Sequence, residues 1–281
     1  MWSFGVILFI LLGGYPPFHD NDQKKLYRKI RTASYEFHPK YWSGISEDAK
    51  DLIHRLLFIN PLQRYTVDQA LSHPWLHIPE RMISSRHLDI NIEEMKKFNA
   101  GRKLKAGIKA VVAVSKLKKI MGSLINMREA MLEEQHSEFS LNARYIINDN
   151  DILGEGGNAI VKSGTSKIDS RPVAIKIIKH SILDNDLENN IRNEMSILQS
   201  LKHNNIINAY ELFDENNHFY FILEKLSGGE LFDRIIQKTI YNESEARRLV
   251  MSLLSAIQYC HANHVVHRLV LDNVVVVYAC M

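Results

Sequence analysis

Cysteine is scarce in this sequence, with two residues among 281. So few cysteines exclude a disulfide framework and favour a reducing compartment. Long hydrophobic runs are missing as well. The opening stretch WSFGVILFILLGG has an apolar core of about ten residues, which is too short to span a bilayer. It also lacks the basic residues and the cleavage site of a signal peptide. We therefore expect a cytoplasmic protein that begins with a buried helix.

No charge of one sign dominates the chain. The 35 basic and 32 acidic residues leave a net charge of +3, which argues against nucleic-acid binding by the whole surface. Apolar residues make up 46% of the chain and charged residues 24%, as in an ordinary globular protein. The exception is residues 96–119, which carry nine Lys and Arg residues and no acid. This block needs an explanation of its own.

Sequence character divides the chain into three stretches. Residues 1–78 contain helix and turn signals and nothing that resembles a strand. Residues 79–143 are charged and helix-prone. Residues 144–281 begin with short β-rich runs that are broken by Gly, Asp and Ser, as a meander requires. Helices are predicted there over about residues 184–201, 230–237 and 243–262.

Two helix starts can be located in the first stretch. Ser46 precedes SEDAKDL and is a plausible N-cap, because acids follow it in the first turn. Thr66 and Gln69 have the spacing of a capping box, in which each side chain bonds the backbone N–H of the other residue. We therefore predict helices that begin directly after Ser46 and Thr66.

The stretch LGEGGNAIVK places two glycines where a strand turns tightly. Gly154 and Gly156 would let backbone N–H groups approach phosphate oxygens, since no Cβ stands in the way. The third glycine of a G-x-G-x-x-G pattern is replaced by Ala159, although Val161 holds the apolar position that follows. Taken alone, such a stretch is more often an ordinary hairpin turn.

The neighbours of this turn favour a phosphate site. VAIK follows on a predicted strand and ends at Lys176, and Glu194 lies on the next predicted helix. A lysine on a strand needs an opposite charge that holds its ammonium group toward phosphates, and a helical glutamate can supply that charge. A solvated lysine and a solvated glutamate would explain each residue separately, but not the ordered set.

With these motifs, residues 144–281 resemble the N-lobe and first C-lobe helices of a Ser/Thr protein kinase of the calcium/calmodulin-dependent group. FILEKLSGGELFD resembles the hinge of that family. The resemblance implies an α+β, protein-kinase-like fold, with an antiparallel five-stranded N-lobe sheet, a helix C, and helical C-lobe fragments in permuted order. It implies catalytic roles for Lys176 and Glu194. It implies ATP as ligand, with Mg bound weakly, at Leu153, Gly154, Glu155, Gly156, Gly157, Val161, Ala174, Lys176, Leu223, Glu224, Leu226 and Glu230.

The stretch HVVHRLVLDN resembles the catalytic loop of the family but lacks its aspartate. Leu269 follows the arginine directly, and the only acid, Asp272, stands next to Asn273, the remnant of the magnesium ligand. The triplets D-F-G and A-P-E are absent, and no lysine occurs after Lys238. We therefore predict an ATP-binding, kinase-like chain that does not transfer phosphate. The alternatives are a dead nucleotide- and calmodulin-binding module, or a chain without stable function.

Residues 1–78 resemble the part of a kinase that follows the activation segment. MWSFGVILFILLGGYPPF resembles helix F, and in the family Arg64 would pair with the A-P-E glutamate. In this chain the part that resembles the end of a kinase thus precedes the part that resembles its beginning. A window cut from tandem kinases is the simplest account, and a circularly permuted, deleted kinase would give the same order. If both parts share one core, helix 243–262 should pack on residues 1–13.

The basic block resembles the calmodulin-binding segment that follows calmodulin-dependent kinase domains. Its apolar residues recur at the spacing that the two lobes of calmodulin grip, namely Leu104, Ile108, Val111 and Leu117. Gly101 and Gly107 each cost about 1 kcal/mol in a helix, so the segment is expected to fold only when bound. The alternatives are a solvated basic helix or one that lies on acidic lipid.

A cluster of possible metal ligands occurs late in the chain, at Cys260, His261, His264 and His267. Cys260 and His261 are adjacent and cannot face the same way on a helix. The stretch HANHVVHR also resembles the ordinary approach to the kinase catalytic loop. No metal site is therefore predicted.

Overall fold

A computed structural model describes residues 1–83, 87–121, 140–155, 159–179, 185–238 and 240–266, with the backbone alone described for residues 106–121 and 185–190. The chain forms two compact units. Unit 1 comprises residues Met1–Gly101 and Gly228–Met281, and unit 2 comprises residues Arg102–Ser227. The division of the sequence into three stretches follows sequence character and stays a prediction.

The elements, in chain order, are mostly short helices followed by a sheet and then two further helices. They are α1 (Trp2–Gly13), α2 (Gln23–Arg31), α3 (Pro39–Trp42), α4 (Glu47–Leu56), α5 (Val67–Leu71), α6 (Pro74–His77), a 3₁₀ turn (Glu80–Met82), α7 (Asp89–Met121), α8 (Leu141–Arg144), β1 (Tyr145–Glu155), β2 (Ala159–Ser166), β3 (Pro172–Lys179), α9 (Asn185–Ser200), β4 (Ala209–Glu215), β5 (His218–Glu224), α10 (Leu231–Gln237) and α11 (Glu243–Ala262).

The apolar helix α1 is the centre of unit 1. Its side chains are buried on nearly every side, as expected of a helix that is hydrophobic all round. The helix is capped at its C-terminal end by Gly14, whose φ is 80° and whose N–H donates to Ile10 O at 2.8 Å. A Cβ at Gly14 would lie 2.1 Å from the backbone oxygen of Asn91, so that position requires glycine for both conformation and space.

Helices from both ends of the sequence share this core. Leu249, Val250 and Leu254 of α11 belong to the same buried cluster as the side chains of α1. The Tyr241 hydroxyl donates to Leu11 O at 2.9 Å, across 230 residues of sequence. The prediction that helix 243–262 packs on residues 1–13 is confirmed.

Both predicted helix starts in unit 1 are confirmed. The Ser46 hydroxyl accepts from Ala49 N at 3.2 Å and begins α4. Gln69 N donates to Thr66 Oγ1 at 3.3 Å, and Thr66 N donates to Gln69 Oε1 at 2.9 Å, which completes the capping box of α5.

Unit 2 contains an antiparallel sheet with the strand order β1-β2-β3-β5-β4. One face is covered by α9, whose Ile191 and Met195 form a buried cluster with Ile178, Phe219 and Phe221. The opposite face has a separate buried cluster that includes Val173, Ile175 and Ile222. The α+β, kinase-like architecture predicted from the sequence is confirmed.

Helix α7 is longer than the basic block and begins within unit 1. Leu88, Ile92 and Met95 are buried, and Asn91 Nδ2 donates to Leu12 O at 2.6 Å and to Tyr41 O at 3.0 Å. The helical backbone continues through both glycines to Met121. The two glycines therefore do not interrupt the helix in this structure, and folding on binding stays a prediction. The packed start of α7 supplies the first turns, and extending an existing helix is far easier than nucleating one.

No helix within the described part of the chain combines the length and apolar character needed to cross a membrane.

Candidate functional site

The strand register brings the predicted site residues onto one face of the sheet. Gly154 lies opposite Val161, and Val161 lies opposite Lys176. Ala174 lies opposite Leu223. Paired residues, and residues two apart on one strand, share a face of a sheet. Val161, Ala174, Lys176 and Leu223 therefore lie on the face that α9 partly covers.

The described surroundings of Gly154 leave room beside it. A Cβ placed on Gly154 would meet no atom of the described residues within 4 Å. Its φ does not lie in the left-handed region, so neither backbone conformation nor a close neighbour requires glycine there. What the missing side chain provides is free space at the edge of the face that carries Val161 and Lys176.

Lys176 contacts an aromatic ring in this structure. Its Nζ lies 5.5 Å from the ring centroid of Phe221, the residue directly opposite on β5. Glu194 is exposed on α9, and no ion pair joins it to Lys176 within the described residues. The helix instead turns Ile191 and Met195 toward the sheet. The catalytic roles of Lys176 and Glu194 stay predictions.

The end of β5 is held by hydrogen bonds between Glu224 and Asn208, and the residue Leu226 shortly after it keeps its backbone groups available. Glu224 N donates to Asn208 O at 2.9 Å, and its Oε2 accepts from Asn208 Nδ2 at 2.9 Å. The backbone of Leu226 makes no hydrogen bond to any residue that the structure describes. Glu230, also predicted for this site, belongs to unit 1, where it precedes α10.

Sequence reasoning missed Lys225. Its ammonium group lies 2.7 Å from Ser163 Oγ on β2 and 3.4 Å from Asp151 Oδ2 on β1. Ser163 is buried, and the side chains of Lys225 and Asp151 are 27% and 44% exposed. Lys225 thus ties the segment after β5 to the strands on either side of the glycine-rich turn. No sequence motif marks this contact.

The clear pKa shifts among the buried side chains of unit 2 lie on the opposite face of the sheet. Burial, assisted by the Glu211 carboxylate that accepts its hydroxyl proton at 3.0 Å, raises the pKa of Tyr145 to about 12. Burial also raises the pKa of Tyr220, with a smaller contribution from Glu215. These groups stabilise the sheet and do not face Lys176.

The remaining predicted site residues are exposed or lie outside the described residues. Leu153 is 42% exposed, and Glu155 is exposed at the end of β1. Leu104 is 66% exposed on α7, and the side chains of Ile108, Val111 and Leu117 are not described. Gly156, Gly157 and the catalytic-loop stretch with Asn273 lie outside the described residues.

The possible metal ligands form no cluster in the described part of the chain, where no three His, Cys, Asp or Glu side chains come together. Cys260 is buried, which raises the pKa of its thiol. Burial also lowers the pKa of His261. His267 lies outside the described residues.

Comparison with known proteins agrees with this geometry. The protein kinase domain family matches residues 1–76 and 147–277. The calcium/calmodulin-dependent protein kinase type II of Caenorhabditis briggsae is 45% identical over 121 residues, which are 43% of this chain and 23% of that relative. The type II delta subunit of Oryctolagus cuniculus is 47% identical over 108 residues, which are 38% of this chain and 20% of that relative.

The chain therefore spans a quarter or less of the length of these curated relatives. The resemblance to the calcium/calmodulin-dependent group is confirmed, and the match to the kinase domain falls on both parts of the sequence that form the common core. The chain belongs to the protein kinase family.

Proposed function

We propose that the chain binds ATP on the α9 face of its sheet. The observation that carries this proposal is the register that aligns Gly154, Val161 and Lys176 across three neighbouring strands. This alignment puts an open glycine position, an apolar side chain and a cation side by side. Such an arrangement suits a nucleotide, whose phosphates need donors and whose base needs an apolar surface.

The α9 face of the sheet is apolar at one end and carries a cation at the other, as the base and the phosphates of a nucleotide require. Ala174 and Leu223 are apolar and lie beside the segment after β5, where the backbone of Leu226 can hydrogen-bond a base edge. Lys176 lies further along the strand, and its three N–H donors can bind phosphate oxygens.

We propose further that this chain does not transfer the phosphate. Leu269 occupies the place where the catalytic loop of the family has its aspartate. Without a group that accepts the proton of the attacking hydroxyl, the nucleophile is not activated. The competing proposal is an active calcium/calmodulin-dependent Ser/Thr kinase, which the relatives' names favour.

A calmodulin site on α7 is the second proposed function. Leu104 is exposed, and the helical backbone continues past Ile108 and Val111, which place their Cα atoms on one side at i, i+4 and i+7. A basic helix with apolar anchors at this spacing fits the grooves of calmodulin.

Calorimetric melting with and without ATP tests the nucleotide site. We expect ATP to raise the melting temperature of the wild-type chain, because a ligand at about 100 times its Kd stabilises the folded state by about 2.7 kcal/mol. Lys176→Met should abolish this shift. Lys179→Met is the matched control, since Lys179 is exposed at the end of the same strand. Absence of a shift in the wild-type chain would refute nucleotide binding.

Two further assays separate the competing functions. We expect no transfer of labelled phosphate from ATP to a basic peptide library. Transfer that Lys176→Met abolishes would establish the active kinase instead. We also expect Leu104→Asp to weaken calcium-dependent calmodulin binding at least ten-fold, whereas Ile90→Asp, at another exposed apolar position of α7, should leave it unchanged.

A further inference from the structure

Helix α2 carries a stripe of cations that the kinase resemblance does not explain. Its sequence QKKLYRKIR has five basic residues and no acid. Successive residues of an α-helix are about 100° apart around its axis. Four residues of α2 therefore fall within a single arc of about 100°, namely Tyr27, Arg31, Lys24 and Arg28. All four side chains are exposed, and Tyr27 is 57% exposed. We call this set the basic stripe.

The basic stripe differs from the other charged helices of unit 1 because its cations have no acidic partners among the described residues. On α4, Lys50 lies 2.7 Å from Glu47, and on α7, Lys96 lies 2.6 Å from Glu93. On α2, Lys29 pairs with Asp20 at 3.0 Å, but it lies outside the stripe. Lys24, Arg28 and Arg31 form no ion pair with any described residue.

Helix stability does not account for the stripe. Lys24 lies in the first turn, where the helix dipole disfavours a cation, and it stands four residues from Arg28, a like charge. The helix is held instead by its N-cap, because Asp22 Oδ1 accepts from Lys24 N at 2.8 Å. A solvated helix would be more stable with an acid at one of these positions. The stripe is therefore present at a cost to local stability.

We propose that the basic stripe binds an acidic, extended segment of a partner protein. With a rise of about 1.5 Å per residue, Lys24 lies about 6 Å from Arg28 and about 10.5 Å from Arg31 along the helix. Successive side chains of an extended peptide point to opposite sides, so carboxylates that face the helix together lie two residues, or about 7 Å, apart. Acids at i, i+2 and i+4 lie about 7 and 13 Å from the first and thus follow the three cations within the reach of their long side chains, and Tyr27 can pack on the peptide stem.

The same geometry disfavours the other anionic partners. A helix that binds a lipid surface inserts apolar side chains beside its cations. On α2 the apolar residues Leu26 and Ile30 are half-buried and lie on the opposite side of the helix from the stripe. Nucleic-acid binding depends on many phosphate contacts, and three cations on a chain of net charge +3 supply few of them.

A labelled peptide with glutamates at i, i+2 and i+4 in a Gly-Ser background is the probe. We expect it to bind the wild-type chain at low salt, with an affinity that falls as salt screens the charges. The variant Lys24→Gln/Arg28→Gln/Arg31→Gln should bind at least ten-fold more weakly. Glutamine favours helix, so this variant keeps its fold, and tryptophan fluorescence checks that it does.

The matched control is Lys103→Gln/Lys105→Gln/Lys109→Gln, which removes the same charge from the basic part of α7. Unchanged peptide binding by this control supports the stripe, whereas an equal loss would show non-specific attraction and overturn the proposal. A peptide of the same composition with three adjacent glutamates should bind several-fold more weakly. Equal affinity for both peptides, or stripe-dependent binding to phosphatidylserine vesicles without peptide binding, would also overturn it.

Discussion

Glu243 is expected to hold the two ends of the sequence together in unit 1. Its side chain is 1% exposed, and its carboxylate accepts three hydrogen bonds from residues about 170 to 200 positions away in the sequence. Ser46 N donates at 3.0 Å, Trp75 Nε1 donates at 2.7 Å, and the Ser46 hydroxyl donates as well. The substitution Glu243→Gln keeps the shape of the side chain and removes its charge.

The size of the effect follows from the three donors. A hydrogen bond to a charged group contributes about 1.5–3 kcal/mol, and a buried donor left without an acceptor costs about 1–3 kcal/mol. The glutamine retains one acceptor oxygen and turns an amide N–H toward a donor that the carboxylate accepted. We expect Glu243→Gln to lower the free energy of unfolding of unit 1 by about 2–4 kcal/mol, a large part of the about 5–15 kcal/mol of a typical domain.

Urea denaturation followed by tryptophan fluorescence measures this loss. The three tryptophans, Trp2, Trp42 and Trp75, all lie in unit 1, so their emission reports its unfolding. Glu47→Gln is the control, because Glu47 is 89% exposed and its pair with Lys50 lies on the surface. A surface pair contributes about 0–1 kcal/mol. A loss for Glu243→Gln no larger than that of the control would refute the reasoning.

Three other predictions follow from single contacts. Gly14→Ala should largely unfold unit 1 in the same urea assay, because the added Cβ meets a backbone oxygen at 2.1 Å; a midpoint close to wild type would contradict this. Lys225→Met should weaken ATP binding several-fold in calorimetric titration, since the segment after β5 loses its side-chain contacts with β1 and β2. An unchanged affinity for ATP would show that these contacts do not support the site. The raised pKa of Tyr145 means that its neutral form contributes stability that is full below pH 10.0 and is lost as pH rises through about 12. The stability difference between wild type and Tyr145→Phe should therefore shrink over that range in calorimetric melts, and a constant difference would contradict the assignment.

The features that could be predicted from the sequence have local physical causes. The capping residues Ser46 and Thr66 mark helix starts because their side chains bond N–H groups only three residues away. The last helix was predicted over 243–262 and is observed over Glu243–Ala262, since its apolar spacing and Asn242 cap are contained within the segment. Five short runs of β-branched and aromatic residues became the five strands.

Long-range side-chain contacts could not be predicted in this way. Lys225 meets Asp151 and Ser163 from 74 and 62 residues away, and nothing near Lys225 in the sequence specifies those partners. Arg64 is a second case. Without the glutamate that the resemblance implied, its guanidinium donates to Phe58 O at 2.9 Å and lies 5.0 Å from the Trp2 ring centroid. Burial lowers its pKa.

The ion pair between Lys176 and Glu194 was predicted from helix periodicity and is not formed among the described residues. The sequence places Glu194 on the same side of α9 as Leu198, but the side chains that reach the sheet are centred on Ile191 and Met195, which leaves Glu194 exposed at the margin of the buried side. A hydrophobic period fixes which residues share a face of a helix, not which edge of that face meets a given strand. The ring of Phe221 then offers the ammonium group of Lys176 an attraction of about 0.5–2 kcal/mol but accepts none of its protons in a hydrogen bond. A phosphate group would satisfy those donors, so we expect the proposed ATP site to depend on Lys176 more than on Glu194.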